Sequence, residues 1–233
     1  MFADSLGSRC RQLRKERREN RLGRKNQRRM GGLYNRGKKA VNQYRVIGIV
    51  GAGRGTGVTH LALWMANYLA SSLQRRTAFI EWNGHGSLGR IEEILSRTYG
   101  RNVESPDTRY TFFGVTYYKN GNSHVLAACM DGTYDEIIID FGEMRPSVRA
   151  EWLRCTVKMV AGALNEWKLG AFLELLAEEE NRRRGWIYTA AFGSEDTRRE
   201  IEKRFRISLL RVPLSVDAFS VDRRAMEWFE RIL

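Results

Sequence analysis

Cysteine is scarce in this chain. Cys10, Cys129 and Cys155 are its three cysteines; they stand far apart in 233 residues and form no CxxC pair. That pattern excludes a disulfide framework and a zinc knuckle, and it suits a reducing cytosol. Histidine is as sparse, and His60 and His85 have no partners at metal-ligand spacing, so both read as ordinary loop or helix residues. Long hydrophobic runs are also missing. None approaches the roughly 18 residues of a membrane span, and the N-terminus is basic rather than signal-like. A soluble, cytoplasmic protein without a transmembrane segment is the expectation.

What the chain does have is an apolar content of 42%, enough for a sizeable core. Its length suits one domain plus an appendage, since domains commonly run to about 100–200 residues. The net charge of +13 is unevenly spread: residues 1–45 hold fifteen Lys and Arg against three acids, a net +12, so the rest sits near +1. Residues 1–43 also have few large apolar side chains and no sustained period, and cannot bury enough surface to fold alone. The expected organisation is a basic, disordered tail over 1–43 and a folded domain over 44–233.

From Tyr44 the pattern changes. Val46-Ile47-Gly48-Ile49-Val50 is a short apolar run ending in glycines, the signature of a buried parallel strand. Val58 to Leu73 reads as a helix, Thr77 to Trp82 as a second strand and Leu88 to Leu95 as a short helix. Tyr110 to Tyr118 has β-type composition before the turn Asn120-Gly121-Asn122, and Glu136 to Phe141 is a further strand. Three more βα alternations follow, with strands at Thr156–Leu164, Trp186–Ala191 and Ser208–Val212 and helices over Lys168–Glu180, Glu195–Phe205 and from Val221. Such alternation predicts a doubly wound α/β fold, a mostly parallel sheet with helices on both faces. Ala225, Trp228 and Ile232 recur at helical spacing and read as a core stripe, as packing is the plain reading of Trp152, Trp167 and Trp186.

Between the first strand and the first helix lies Gly51-Ala52-Gly53-Arg54-Gly55-Thr56-Gly57-Val58-Thr59. Glycines let the backbone turn tightly and aim successive N–H groups at a phosphate, and the helix N-terminus adds its partial positive charge. Two motifs compete for this loop. The dinucleotide fingerprint GxGxxG fits Gly51 and Gly53 but meets Thr56 at its third position, while Glu81 at the end of the second strand would suit a ribose. The P-loop GxxxxGK[ST] fits Gly57 and Thr59 but has Ala52 first and Val58 where lysine belongs. A tight βα turn that binds nothing uses the same glycines.

Two later segments weigh the choice. Tyr134-Asp135-Glu136-Ile137-Ile138-Ile139-Asp140 is a hydrophobic strand ending in aspartate, as a Walker B strand does, and Phe79 to Leu88 carries an acid, Glu81, ahead of Asn83 and a glycine turn. Loop, acidic turn, YDxIIID strand and three βα units, in that order, resemble the ParA/MinD-like P-loop ATPases over about residues 45–233. The resemblance implies that Gly53, Arg54, Gly55, Thr56, Gly57, Val58 and Thr59 cradle the phosphates of ATP or ADP. It implies that Thr59 and Asp140 stand on the Mg²⁺ side. In that family a P-loop lysine bridges the β- and γ-phosphates and a second lysine reaches across a dimer; here Val58 and Gly53 occupy those positions. The aspartate that orients the attacking water falls at Asn83, which is no carboxylate base.

Three functions fit these residues. One is a ParA/MinD-like nucleotide binder with weak or no hydrolysis, acting in positioning, partitioning or scaffolding. Another is a working ATPase that uses Arg54 in place of lysine. The third is a nucleic-acid-binding protein whose basic tail, residues 1–43, grips DNA or another anionic surface while the α/β body serves as platform. A homodimer is compatible with the resemblance, and Met30 offers a later start that would remove much of the tail.

Overall fold

The computed structural model describes residues 44–99, 108–179 and 185–233. The expected basic tail lies outside the described residues. Chain contacts divide the molecule into Asn42–Arg90 with Glu104–Leu233, and Met1–Val41 with Ile91–Val103. Of the second unit the described part is 91–99, the later portion of one helix, where Arg97 pairs with Glu93 one turn away.

Among the described residues the larger unit holds eight strands: β1 (Arg45–Gly51), β2 (Thr77–Glu81), β3 (Arg109–Phe112), β4 (Val115–Tyr118), β5 (Glu136–Glu143), β6 (Val157–Gly162), β7 (Trp186–Ala190) and β8 (Leu209–Arg211). Between and after them run α1 (Val58–Asn67), α2 (from Ser87), α3 (Ser123–Met130), α4 (Pro146–Arg154), α5 (Glu166–Glu178), α6 (Glu195–Phe205) and α7 (Arg223–Ile232). The sheet order is β3-β4-β2-β5-β1-β6-β7-β8, parallel throughout except for the antiparallel β3–β4 pair.

That order makes the sheet doubly wound. From β1 the chain steps through α1 toward β2 on one side, whereas β5 to β8 progress toward the other side through α4, α5 and α6. Right-handed crossovers travelling in opposite directions place their helices on opposite faces. Packing agrees. Trp152 of α4, Phe172 of α5 and Ile201 of α6 share one buried cluster with Val50, Ile139 and Phe141. On α1, Trp64 and its neighbour Tyr68 pack instead against α7: Trp64 stacks on Trp228 with ring centroids 6.3 Å apart, and Tyr68 on Phe229 at 4.9 Å. Ala225 and Trp228 of the expected stripe are buried, Ile232 is half-buried, and Phe229 carries the contact that the stripe omits. Trp152 is buried edge-on to Trp186, while Trp167 is 79% exposed.

Several elements differ from expectation. The β-type stretch Tyr110–Tyr118 forms a hairpin whose turn the composition did not mark, because Phe113 and Gly114 both take positive φ and turn the chain back. Helices α3 and α4 have no counterpart in the sequence pattern; Asn122 caps α3 through its side chain, and Pro146 opens α4, where its missing N–H costs nothing. The expected helix Val58–Leu73 is α-helical to Asn67 and continues as a wider π turn to Ser72. Cys129 and Cys155 are free and buried, and burial pushes their thiols up to about 11 and about 12. No helix of the described residues is long and apolar enough to cross a membrane.

Candidate phosphate-binding site

The loop after β1 lies at the carboxyl ends of the central parallel strands. β1 is flanked by β5 and β6, not by β2. The dinucleotide-binding arrangement pairs the first two strands directly, so the GxGxxG reading of Gly51 and Gly53 is set aside. Glu81 is not poised for a ribose either. It is 1% exposed and accepts the Ser87 and Leu88 N–H groups at 2.7 and 3.3 Å, capping the start of α2. Burial raises its carboxyl above the ordinary range against the pull of those bonds.

Loop shape depends on its glycines at particular points. A Cβ on Gly51 would lie 2.3 Å from Thr56 Oγ1, and Thr56 in turn donates to the Gly53 carbonyl at 3.1 Å, folding the loop on itself. Gly55 and Gly57 have φ of +68° and +90°, values that L side chains resist. Gly57 is the N-cap of α1 and supplies no side-chain cap, so the first N–H groups of the helix are left to face the loop. Val58 is buried, with a side-chain carbon 2.8 Å from the Cβ that Gly51 lacks; it packs on the end of β1. Arg54 is 89% exposed and its Nε lies 3.8 Å from Glu143 at the end of β5. Its charge leans toward that carboxylate in solvent, a contact of small energy.

Strand pairing brings the acidic side of the site together. In the β1–β5 register Ile49 sits opposite Asp140, which places the aspartate beside the loop. Thr59 donates to Asp140 Oδ2 at 2.7 Å, and the Gly142 N–H donates to Oδ1 at 2.9 Å. Asp140 is fully buried, and burial is the largest influence on it, raising its carboxyl above 3.8 while Thr59, Asn83 and Gly142 pull the other way. Asn83 accepts the His85 N–H at 2.8 Å through Oδ1. Its Nδ2 is close enough to favour the charged form of Asp140 yet makes no hydrogen bond of good geometry. A buried amide donor without a partner marks a place where a polar ligand would be welcome. Two hard oxygen donors, the Thr59 hydroxyl and the Asp140 carboxylate, are the ligand type Mg²⁺ takes.

Burial of this carboxylate has a consequence for stability. In the folded chain Asp140 keeps its proton to higher pH than it does unfolded, so folding stability falls as pH rises from its ordinary pKa through the raised one. Asp140→Asn removes that cost. The variant is expected to melt higher than the parent near pH 7.5. The gain should shrink toward about pH 4. Thermal melts of both proteins across that range check it; a difference that stays constant at every pH would mean that titration of Asp140 is not its source.

One group at the loop has no signal in the sequence. Lys168, in the first turn of α5, donates from Nζ to the Gly55 carbonyl at 2.8 Å across 113 residues of chain. Neighbouring Ala171 faces Gly53, whose missing Cβ would sit 3.6 Å away. No local motif marks such a lysine. Only the placement of β6 next to β1 brings the start of α5 to the loop.

No protein-family model matches the sequence, and no curated protein matches it. Solved structures do match the fold. A plasmid partition protein from Borrelia burgdorferi B31, bound to AMPPNP, superposes with a TM-score of 0.58 at 13% identity, covering 82% of this chain and 96% of that one. The ParA family ATPase of Chlorobium tepidum gives 0.53 at 17% identity over 82% and 92% of the two chains. Cobyrinic acid a,c-diamide synthase from Mycobacterium smegmatis, with an ATP analogue and magnesium, gives 0.55 at 15% identity over 81% and 92%. The strand order, the glycine loop with Thr59 against Asp140, and these superpositions agree: the larger unit of this chain has the P-loop α/β fold of the ParA/MinD-like ATPases.

Proposed function

We propose that this chain binds ATP or ADP with Mg²⁺ at the Gly51–Thr59 loop, turns it over at close to the background rate, and acts by position, as a partitioning, localisation or scaffolding factor. One contrast carries the reading. Thr59 and Asp140, the residues proposed for the magnesium side, are hydrogen-bonded at 2.7 Å, while the lysine position holds Val58 and the water-orienting position holds Asn83. Bound Mg²⁺ would screen phosphate charge, held by Thr59 and Asp140. Gly55 and Gly57 shape the phosphate cradle, and the N-terminus of α1 faces it. Asn83 can orient a polar group but cannot take a proton from water. Two of the superposed structures are a partition protein and a ParA family ATPase, which supports a positional role.

Titration of the intact chain with ATP and ADP, with and without Mg²⁺, is expected to give dissociation constants between about a micromolar and a millimolar. Phosphate release should stay near background. Brisk Mg²⁺-dependent hydrolysis that disappears in Arg54→Ala would sink this reading and promote an ATPase built on Arg54. The Arg54–Glu143 contact favours the first outcome.

A second reading is favoured by a separate observation, the concentration of fifteen Lys and Arg within residues 1–45. Residues 1–43 grip DNA through its phosphates with little sequence preference and so hold the domain on a nucleic-acid surface. Both functions are compatible in one chain.

A further inference from the structure

The loop has no lysine of its own, yet a lysine is present at it. We infer that Lys168 supplies the phosphate-binding cation that Val58 does not, contacting the terminal phosphates of a nucleoside triphosphate seated on Gly53–Thr59. This rests on the nucleotide-binding reading above and names a residue that no motif assigns.

Lys168 is placed for this role. The ammonium lies 2.8 Å from the Gly55 carbonyl, and a Cβ on Gly55 would come within 2.8 Å of it, so the charge rests directly over the loop. Packing holds it there. Phe172, one turn further along α5, is fully buried and fills the space where Gly162 of β6 lacks a Cβ. The Lys168 and Leu169 N–H groups both bond to the Asn165 carbonyl, closing the first turn of α5. Since β6 pairs with β1 up to Gly51↔Ala161, the helix start and the loop follow directly on the ends of paired strands.

Its charge is also uncommitted. Among the described residues no carboxylate forms an ion pair with Lys168, and the Gly55 carbonyl is its hydrogen-bond partner. An ammonium has three donors, so two stay available while the first holds the loop. Arg54, the other cation here, leans toward Glu143. A phosphate on the loop would meet the Lys168 ammonium without displacing an existing ion pair. Charge-assisted bonds to phosphate are the stronger kind.

Calorimetric titration of the intact chain with ATP and with adenosine tests the assignment. Lys168→Met should weaken ATP about ten- to hundred-fold, the worth of one charge-assisted bond, and leave adenosine binding unchanged. Lys168→Arg should keep most of the ATP affinity, and Lys203→Met, on remote α6, all of it. Adding Val58→Lys to Lys168→Met should restore ATP binding, because the two positions would serve one phosphate cluster. Acylation of the unmodified protein by an amine-reactive reagent, read by mass spectrometry, covers the case in which Lys168→Met does not fold. ATP should slow labelling of Lys168, and adenosine should not. A folded Lys168→Met that binds ATP like the parent, or labelling indifferent to ATP in a protein that binds it, overturns the role of Lys168 alone. Absence of ATP binding by the parent protein overturns this role together with the nucleotide-binding reading.

Discussion

Raising salt from about 50 to about 200 mM is expected to weaken binding of the intact chain to duplex DNA by roughly a thousand-fold, if about six phosphates are contacted. The cause is release of condensed counterions. Each Lys or Arg that neutralises a phosphate frees a cation, and added salt makes that release less favourable, so log affinity falls with log salt at a slope of about −5. Residues 1–30 contain eleven of the fifteen Lys and Arg found in residues 1–45, and the remaining 188 residues are near neutral. A Gly31–Leu233 protein should therefore bind far more weakly and with a shallower slope. Filter binding or anisotropy at two salt concentrations decides the matter. Equal binding by both proteins, or none of the expected salt dependence, removes residues 1–43 from the functional account and leaves only the loop.

Val58→Lys is expected to tighten ATP binding about ten- to hundred-fold, because it adds a charge-assisted contact to a cradle already shaped by Gly55 and Gly57. The same substitution lowers stability without ligand. Val58 is 6% exposed and packs against the end of β1, so a lysine there must carry its ammonium out of an apolar contact, and ATP recovers the loss by receiving it. Turnover should stay low, since Asn83 still lacks a carboxylate. Melting curves with and without ATP, alongside titration, show both effects together. A folded Val58→Lys protein whose ATP affinity matches the parent makes the loop a structural turn, because a cation at that position would then have no phosphate to meet.

Much of the fold was legible in the chain because its cues are local. The runs at Val46–Val50 and Ile137–Ile139 are buried from both faces, so they show as continuous apolar strands. Gly55 and Gly57, at positive φ, and Gly51, where a Cβ would meet Thr56, punctuate the step into α1. The Phe113-Gly114 turn was hidden inside an unbroken β-type composition, and the polar surface of α4, with Val148 and Trp152 as its buried residues, offers only a short period to detect.

The sequence by itself determined most of the strand and helix alternation (though not α3 and α4), the loop and its missing lysine, and the uneven charge, since each is written in neighbouring residues. Tertiary structure alone decided which distant segments meet. Insertion of β5 between β1 and β2 separates a P-loop from a dinucleotide fold and sets Asp140 against Thr59, 81 residues away. Placement of β6 beside β1 carries Lys168 to Gly55 across 113 residues, and burial leaves Asn83 Nδ2 without a well-formed hydrogen bond next to Asp140. Strand order is a choice among globally packed alternatives and depends on how whole faces of helices and sheet bury one another, which no window of neighbouring residues contains.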